Sequence, residues 1–185
     1  MCSSDLEFLL EKDWIPERLR DRYRHIVEEI CALSRPMFAD PGIPMHRIHG
    51  DCHRGNLLWS DMGPFFLDFD DSVIGPAVQD LWLLGPGPRS ESASERLVFD
   101  SIIEGYEQWK PFPRKSLALI EPLRALRFIH FNAWIARRWD DPAFPRAFPQ
   151  FGTDRYWEES VQDLAGQLEL IRRRPSTTEG ESEWV

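Results

Sequence analysis

From residue 16 onward, apolar side chains recur three and four positions apart, at Leu19, Tyr23, Ile26, Val27 and Ile30. That is the period of a helix with one buried face. Pro16 suits the first turn, where its missing N–H costs nothing. The run RPMFADPGIP predicts that the helix stops at about residue 34. Upstream, residues 5–15 (DLEFLLEKDWI) carry the same period loosely. The pattern then changes. MHRIH, LLW and FFLDF predict three short strands, and the SDMGP turn predicts a hairpin from the last two. AVQDLWLL predicts a short buried helix, and GPGPRSES a linker. The helical period returns at Leu97, Val98, Ile102, Ile103, Tyr106 and Trp109. It returns again at Leu123, Leu126, Ile129, His130, Ala133, Trp134 and Arg137, with Pro122 near the start. A last helix places Trp157, Val161, Leu164, Leu168 and Ile171 on one face behind Thr153, a suitable N-cap. Between these two helices, the proline-rich DDPAFPRAFPQF predicts no regular element.

Helix, strand cluster, helices is the order of an α-rich α+β fold, with strands too few and too short to stand alone. The chain of 185 residues is long enough for a real core. It is expected to form one domain over residues 1–174, followed by an acidic disordered tail at 175–185, PSTTEGESEWV. A net charge of −9 argues against nucleic acid or an anionic membrane surface as partner. Three cysteines without a CxxC spacing argue against a disulfide framework or a structural zinc site, and fit a reducing cytoplasm. No apolar run is long enough to span a bilayer and none resembles a signal peptide. A cytoplasmic location is the expectation.

The chemistry concentrates in residues 49–71, HGDCHRGNLLWSDMGPFFLDFDD, which hold two histidines and five aspartates between apolar runs. Carboxylates gathered by a tight turn repel one another unless a cation sits among them. The hairpin brings Asn56, just before LLW, toward Asp68, just after FFL. An amide oxygen and a carboxylate converging there are hard ligands of the kind Mg²⁺ takes alongside phosphate oxygens and water. Asp51 lies on the same loop and can face a substrate hydroxyl. One carboxylate for the hydroxyl proton and two oxygen donors for the metal on a nucleotide is what phosphoryl transfer requires.

His49-Gly50-Asp51 with Asn56 five positions on resembles the kinase catalytic-loop pattern H-R-D-x-x-x-x-N, with Gly for Arg. LDFDD stands where that pattern has its metal-binding D-F-G. The HGDxHxxN form, with a second histidine at His53, resembles the aminoglycoside phosphotransferase and choline kinase group of kinase-like folds. Further likenesses run through GPAVQDLW, EGYEQW, EPLRALR and AWIARRWDDPAFPRAFPQF, and together look most like the bacterial stress-response serine/threonine kinase subfamily. The resemblance covers roughly residues 14–172. It implies a kinase-like C-terminal lobe that uses ATP and Mg²⁺, with Asp51 as catalytic base and Asn56 and Asp68 as nucleotide-metal ligands. His49 and His53 would brace the loop, as would Asp80, which matches a buried helix aspartate of the family. Asp70 and Asp71 receive no role.

The departures from the family are equally specific. Only 48 residues precede His49, no G-x-G-x-x-G occurs, and Lys12 is the only upstream lysine. A sheet-bearing N-terminal lobe with its phosphate-covering loop is therefore expected to be missing from this chain, leaving a partner lobe to supply it. Eleven residues separate Asp68 from Asp80, too few for a long activation segment, so constitutive geometry is expected. The expected acceptor is a protein serine or threonine. The alternatives are a small-molecule kinase acting on an aminoglycoside, a choline-like alcohol or homoserine, and a non-catalytic remnant or binding module.

Blander readings of single residues stand beside these. His49, Asp51 and His53 could form a transition-metal triad, and the acids could be a solvated turn. His130 reads as a satisfied core histidine. Arg124, Arg127, Arg137 and Arg138 read as solvating helix faces rather than lining an acceptor cleft. The Trp residues at helical spacing read as core, and Cys52 as packing.

Overall fold

The computed structural model describes residues 2–85 and 92–173. The expected acidic tail and most of the GPGPRSES linker lie outside these. The chain divides into two compact units: Met1–Met37 with Glu121–Val185, and Phe38–Ile120.

The first unit is helical. It contains α1 (Cys2–Glu11), most of α2 (Glu17–Phe38), α5 (Ile120–Arg137), α6 (Ala143–Ala147) and α7 (Asp154–Arg172). Its core follows from the helical periods: Tyr23, Val27 and Ile30 of α2 join Ile129 and Ala133 of α5 and Trp157, Val161 and Leu164 of α7. Edge-on and tilted aromatic contacts knit it, with Phe151 about 5.3 Å from both Trp139 and Trp157. Thr153 caps α7, its hydroxyl accepting the Tyr156 N–H at 3.3 Å.

Several expectations change here. Helix α2 runs past residue 34 through Pro36, because a proline removes only one amide bond and the next residue, Met37, is buried. The proline-rich segment contains α6, started by the Asp141 carboxylate accepting the Ala143 N–H at 2.9 Å. Its Phe144 and Phe148 pack on Trp134. Cys31 is disulfide-bonded, where no disulfide is expected from cysteine number and spacing. Trp157 is buried as the helical spacing predicts, but Trp109 is 91% exposed.

His130 is not a core residue. It is half exposed, and its Nδ1 stands 3.0 Å from the buried carboxylate of Asp5, which also takes the Arg137 guanidinium at 2.8 Å. Arg137 is therefore a structural partner rather than a solvating side chain, and it also lies over the Phe8 ring at 4.6 Å. Some buried polar groups in this unit satisfy one another, whereas Ser34 Oγ and Trp157 Nε1 are buried without a hydrogen-bond partner among the described residues. Asn132 donates to Ser160 Oγ at 2.9 Å and accepts from the Tyr156 hydroxyl at 2.6 Å.

The second unit holds the strands as two antiparallel pairs. β1 (Met45–Ile48) pairs with β4 (Val73–Pro76), His46 opposite Gly75. β2 (Leu57–Ser60) and β3 (Gly63–Phe66) form the expected hairpin, with Ser60 opposite Gly63 across a two-residue turn. Then come α3 (Val78–Leu84) and α4 (Ala93–Glu107), with 3-10 turns at Arg54–Asn56 and Arg114–Leu119. Strand β4 is not foreseen, because Gly-Pro within SVIGP reads as a turn. β3 ends at Phe66 rather than continuing through LDF, because Asp68 takes φ 60°, a left-handed backbone that cannot extend a pleat. Among the described residues no helix is long and apolar enough to cross a membrane.

Removing one partner of a buried carboxylate leaves its charge uncompensated. Arg137→Met is expected to lower the stability of the chain by about 2–4 kcal/mol in urea unfolding. Arg155→Met, which breaks a pair exposed on both sides, is expected to leave the unfolding midpoint essentially unchanged.

Candidate functional site

The pairing of β1 with β4 ties together the two ends of the acidic segment. β1 delivers the chain to HGDCHRGN, and β4 carries it from DFDD into α3. In the first turn of α3, Asp80 turns its carboxylate back onto the loop. Oδ2 accepts the His49 N–H at 2.7 Å and Oδ1 accepts the Gly50 N–H at 2.9 Å. Both are charge-assisted bonds, among the stronger kind a protein makes. Gly50 sits at φ 88°, and an added Cβ would collide with the Asp71 carbonyl oxygen. The glycine standing where kinases have arginine is thus required twice, by the backbone angle and by space.

His49 is buried, and its ring is fully used. Nε2 donates to the Leu67 carbonyl at 2.7 Å, which leaves Nδ1 as the acceptor facing the Asp51 N–H at 3.4 Å. The ring also lies 4.6 Å from that of Phe69. It fastens the loop to the segment that carries Asp68.

Asp51 is half-buried. Its carbonyl accepts the His53 N–H at 2.9 Å and the Asn56 Nδ2 at 3.0 Å. His53 opens the turn at Arg54–Asn56, its Nδ1 accepting the Gly55 N–H at 2.9 Å. The proton is then on Nε2, which stands 3.4 Å from Asp51 Oδ2. Gly55 must be small, because a Cβ would lie 2.7 Å from His53 Cε1. A carbonyl can only accept, so the amide nitrogen of Asn56 faces Asp51 and its Oδ1 is turned elsewhere.

The hairpin ladder runs one step past its strands, with the Leu67 N–H donating to the Asn56 carbonyl at 2.9 Å. Asn56 and Asp68 consequently leave the same open end. Asp68 is exposed, and among the described residues no ion pair or hydrogen bond engages its carboxylate. Its positive φ is strain of the sort found at functional sites. Among the described residues, no three His, Cys, Asp or Glu side chains gather as a metal cage. The His49, Asp51 and His53 triad is not assembled, since His49 spends both ring nitrogens on the backbone. An amide oxygen and a free carboxylate fit a Mg²⁺ ion, which takes only one or two protein ligands and fills its shell with water and phosphate.

Cys52 is a buried free thiol. Burial first, then the charges of Asp80 and Asp51, push its pKa up to about 11, so it stays neutral at physiological pH. Its side chain packs in the interior.

Residues 4–112 match the family model described as phosphotransferase enzyme family. The chain belongs to that family. It is similar to Stress response kinase A of Escherichia coli (strain K12), 40% identical over 161 residues that make up 87% of this chain and 48% of that protein. It is 45% identical to Serine/threonine protein kinase RdoA of Salmonella typhimurium over 129 residues, 70% of this chain and 38% of that one. Stress response kinase A of Shigella flexneri is 38% identical over 161 residues. The chain spans about half the length of the curated relatives it matches.

Two side chains of this phosphotransferase-family site escape the sequence. Gln79 Nε2 donates to the Gly50 carbonyl at 3.1 Å, and Arg54 Nε donates to the Leu84 carbonyl at the end of α3, at 2.9 Å. Neither type at its position announces a backbone partner about thirty residues away. The only signal is the adjacency of Gln79 to Asp80.

The hairpin also exposes apolar side chains on both faces, Leu58 and Phe65 on one, Trp59 and Phe66 on the other, with Trp59 at 76% and Met62 at 88%. Surface of this kind seeks cover. The purified chain is expected to self-associate as its concentration rises in sedimentation velocity. The double variant Trp59→Ser, Phe65→Ser is expected to shift it toward monomer. A wild-type chain that stays strictly monomeric would contradict this.

Proposed function

We propose that this chain carries the hydroxyl-activating and metal-holding part of an ATP- and Mg²⁺-dependent phosphotransferase, with a protein serine or threonine as acceptor. One observation carries the reading: Asp51 and Asn56 share the loop that Asp80 pins, and Asp68 follows Leu67, whose N–H and carbonyl bond Asn56 and His49. Asp51 is the catalytic residue, its carboxylate orienting the acceptor hydroxyl and taking its proton as the oxygen attacks the γ-phosphorus of ATP, the bond to the bridging oxygen breaks and ADP leaves. Asn56, through Oδ1, and Asp68 would hold the metal on the nucleotide. Bound there, Mg²⁺ supplies charge neutralisation at the phosphate oxygens. His49 joins the two segments, His53 flanks Asp51, and Asp80 shapes the loop; none of the three reacts.

The name Serine/threonine protein kinase RdoA supports a protein acceptor, and the name Stress response kinase A supports phosphoryl transfer. The eleven-residue connection between Asp68 and Asp80 favours a second reading, a small alcohol such as an aminoglycoside, a choline-like compound or homoserine. In either case residues 1–174 act as a kinase-like C-terminal lobe in the cytoplasm, with 175–185 as an acidic tail. A phosphate-covering lobe is a partner supplied by further polypeptide. Without that lobe, the chain alone is a nucleotide-binding half-site.

The test is thermal unfolding of the purified chain with Mg²⁺ alone and with Mg²⁺–ATP, beside Asp68→Ala. Ligand at about 100 times its dissociation constant stabilises by about 2.7 kcal/mol. For a chain of this size that is a shift of about 5–10 °C. The shift is expected with Mg²⁺–ATP and is expected to vanish in Asp68→Ala. No shift in the wild-type chain would contradict an unaided half-site, and an equal shift in Asp68→Ala would remove Asp68 from it. Once transfer is measured with the lobe supplied, labelling of alcohols without labelling of protein would overturn the protein acceptor.

A further inference from the structure

We infer that Gln79 is a positioning residue for Asp51; the inference rests on the phosphoryl-transfer reading only for what Asp51 then does. Three consecutive peptide planes lead into Asp51, and the first turn of α3 holds all three. Asp80 takes the N–H of the plane before His49 and of the plane before Gly50. Gln79 donates to the oxygen of the third, the Gly50 carbonyl, at 3.1 Å. The N–H of that third plane belongs to Asp51 and faces His49 Nδ1. The plane that follows Asp51 is bonded through its carbonyl to the His53 N–H and to Asn56. Both planes flanking the Asp51 Cα are thereby fixed.

The reason for a side chain at this joint lies in Gly50. The Asp71 carbonyl excludes any Cβ there, so the loop must use glycine. A glycine is also the softest joint a chain can have, free in ψ as well as φ. Asp80 acts on the N–H side and constrains the approach to Gly50. The carbonyl side, which aims Asp51, is left to Gln79. The amide donor and the neighbouring carboxylate acceptor grip the two sides of one residue. Gly75 keeps the space in which this happens, since a Cβ there would lie 2.7 Å from Ile48 Cδ1 and 3.3 Å from Gln79 Oε1.

The test uses Gln79→Met, which keeps length without the donor, Gln79→Glu, which turns an acceptor on the carbonyl, and Gln79→Lys, which restores a donor. Residue-resolved amide exchange is read at Asp51, with the amides of α7 reporting the fold. Loss of one hydrogen bond is expected to speed exchange at Asp51 about tenfold in the Met and Glu variants, with α7 unchanged. The Lys variant is expected to return to within about threefold of wild type. Unchanged protection of Asp51 in both Met and Glu variants would overturn the inference. In protein that transfers phosphoryl groups, kcat is expected to fall with the nucleotide KM unchanged, and an unaltered kcat would overturn it equally. Absence of any transfer by wild type counts against the functional reading, and exchange at Asp51 then decides Gln79 by itself.

Discussion

The carboxylate of Asp80 is the point on which the second unit turns. Its two oxygens take successive amides, those of His49 and Gly50, and so bend the chain as it leaves β1. Ionised acceptors make bonds about twice as strong as neutral ones, and two of them hold this bend. The loop from His49 to Asn56 and the acidic segment beside it are tied to that bend. The bend sends the loop under the Asp71 carbonyl, which imposes glycine at position 50. It also lays the His49 ring against Phe69 and the Leu67 carbonyl, joining the loop to the acidic segment.

The opposing requirement is that two oxygen donors remain unspent. A protein normally pairs its carboxylates and satisfies its amides. Here Asn56 gives its nitrogen to the Asp51 carbonyl and keeps its oxygen, while Asp68 is held left-handed and exposed. Left-handed backbone at a non-glycine residue costs free energy, and it persists only where surrounding structure over-determines it. The hairpin ladder, extended to Asn56 and Leu67, supplies that determination. The apolar faces of the same hairpin stay exposed, so the element that brings Asn56 and Asp68 to one open end also offers the surface most in need of cover.

Much of this is legible in the residue order, and the parts that are not share a cause. Alternation and turn chemistry show the hairpin, and the helical period shows α2, α5 and α7, because each signal lies within one element. Thr153 is read as a cap for the same reason. The roles set by partners far along the chain are hidden. Nothing near His130 or Arg137 tells that a buried Asp5 waits 125 residues away. Strand β4 is masked by its own Gly-Pro, because only the pairing with β1 makes it a strand. Gln79 looks like any polar residue on a short helix until Gly50 is seen beneath it. The HGDxHxxN spacing shows which residues gather, whereas the tautomers of His49 and His53 and the orientation of Asn56 exist only in three dimensions.

The central claim is that the Asp80-held loop sets Asn56 and Asp68 to receive the divalent ion of a nucleotide. Paramagnetic broadening of backbone amide signals by Mn²⁺–ATP tests it most directly, in the wild-type chain and in Asp80→Ala. The amides around Asn56 and Asp68 are expected to broaden first, with those of α7 left sharp, and the effect is expected to be lost in Asp80→Ala. Broadening centred elsewhere, or undiminished when Asp80 is removed, would contradict the account.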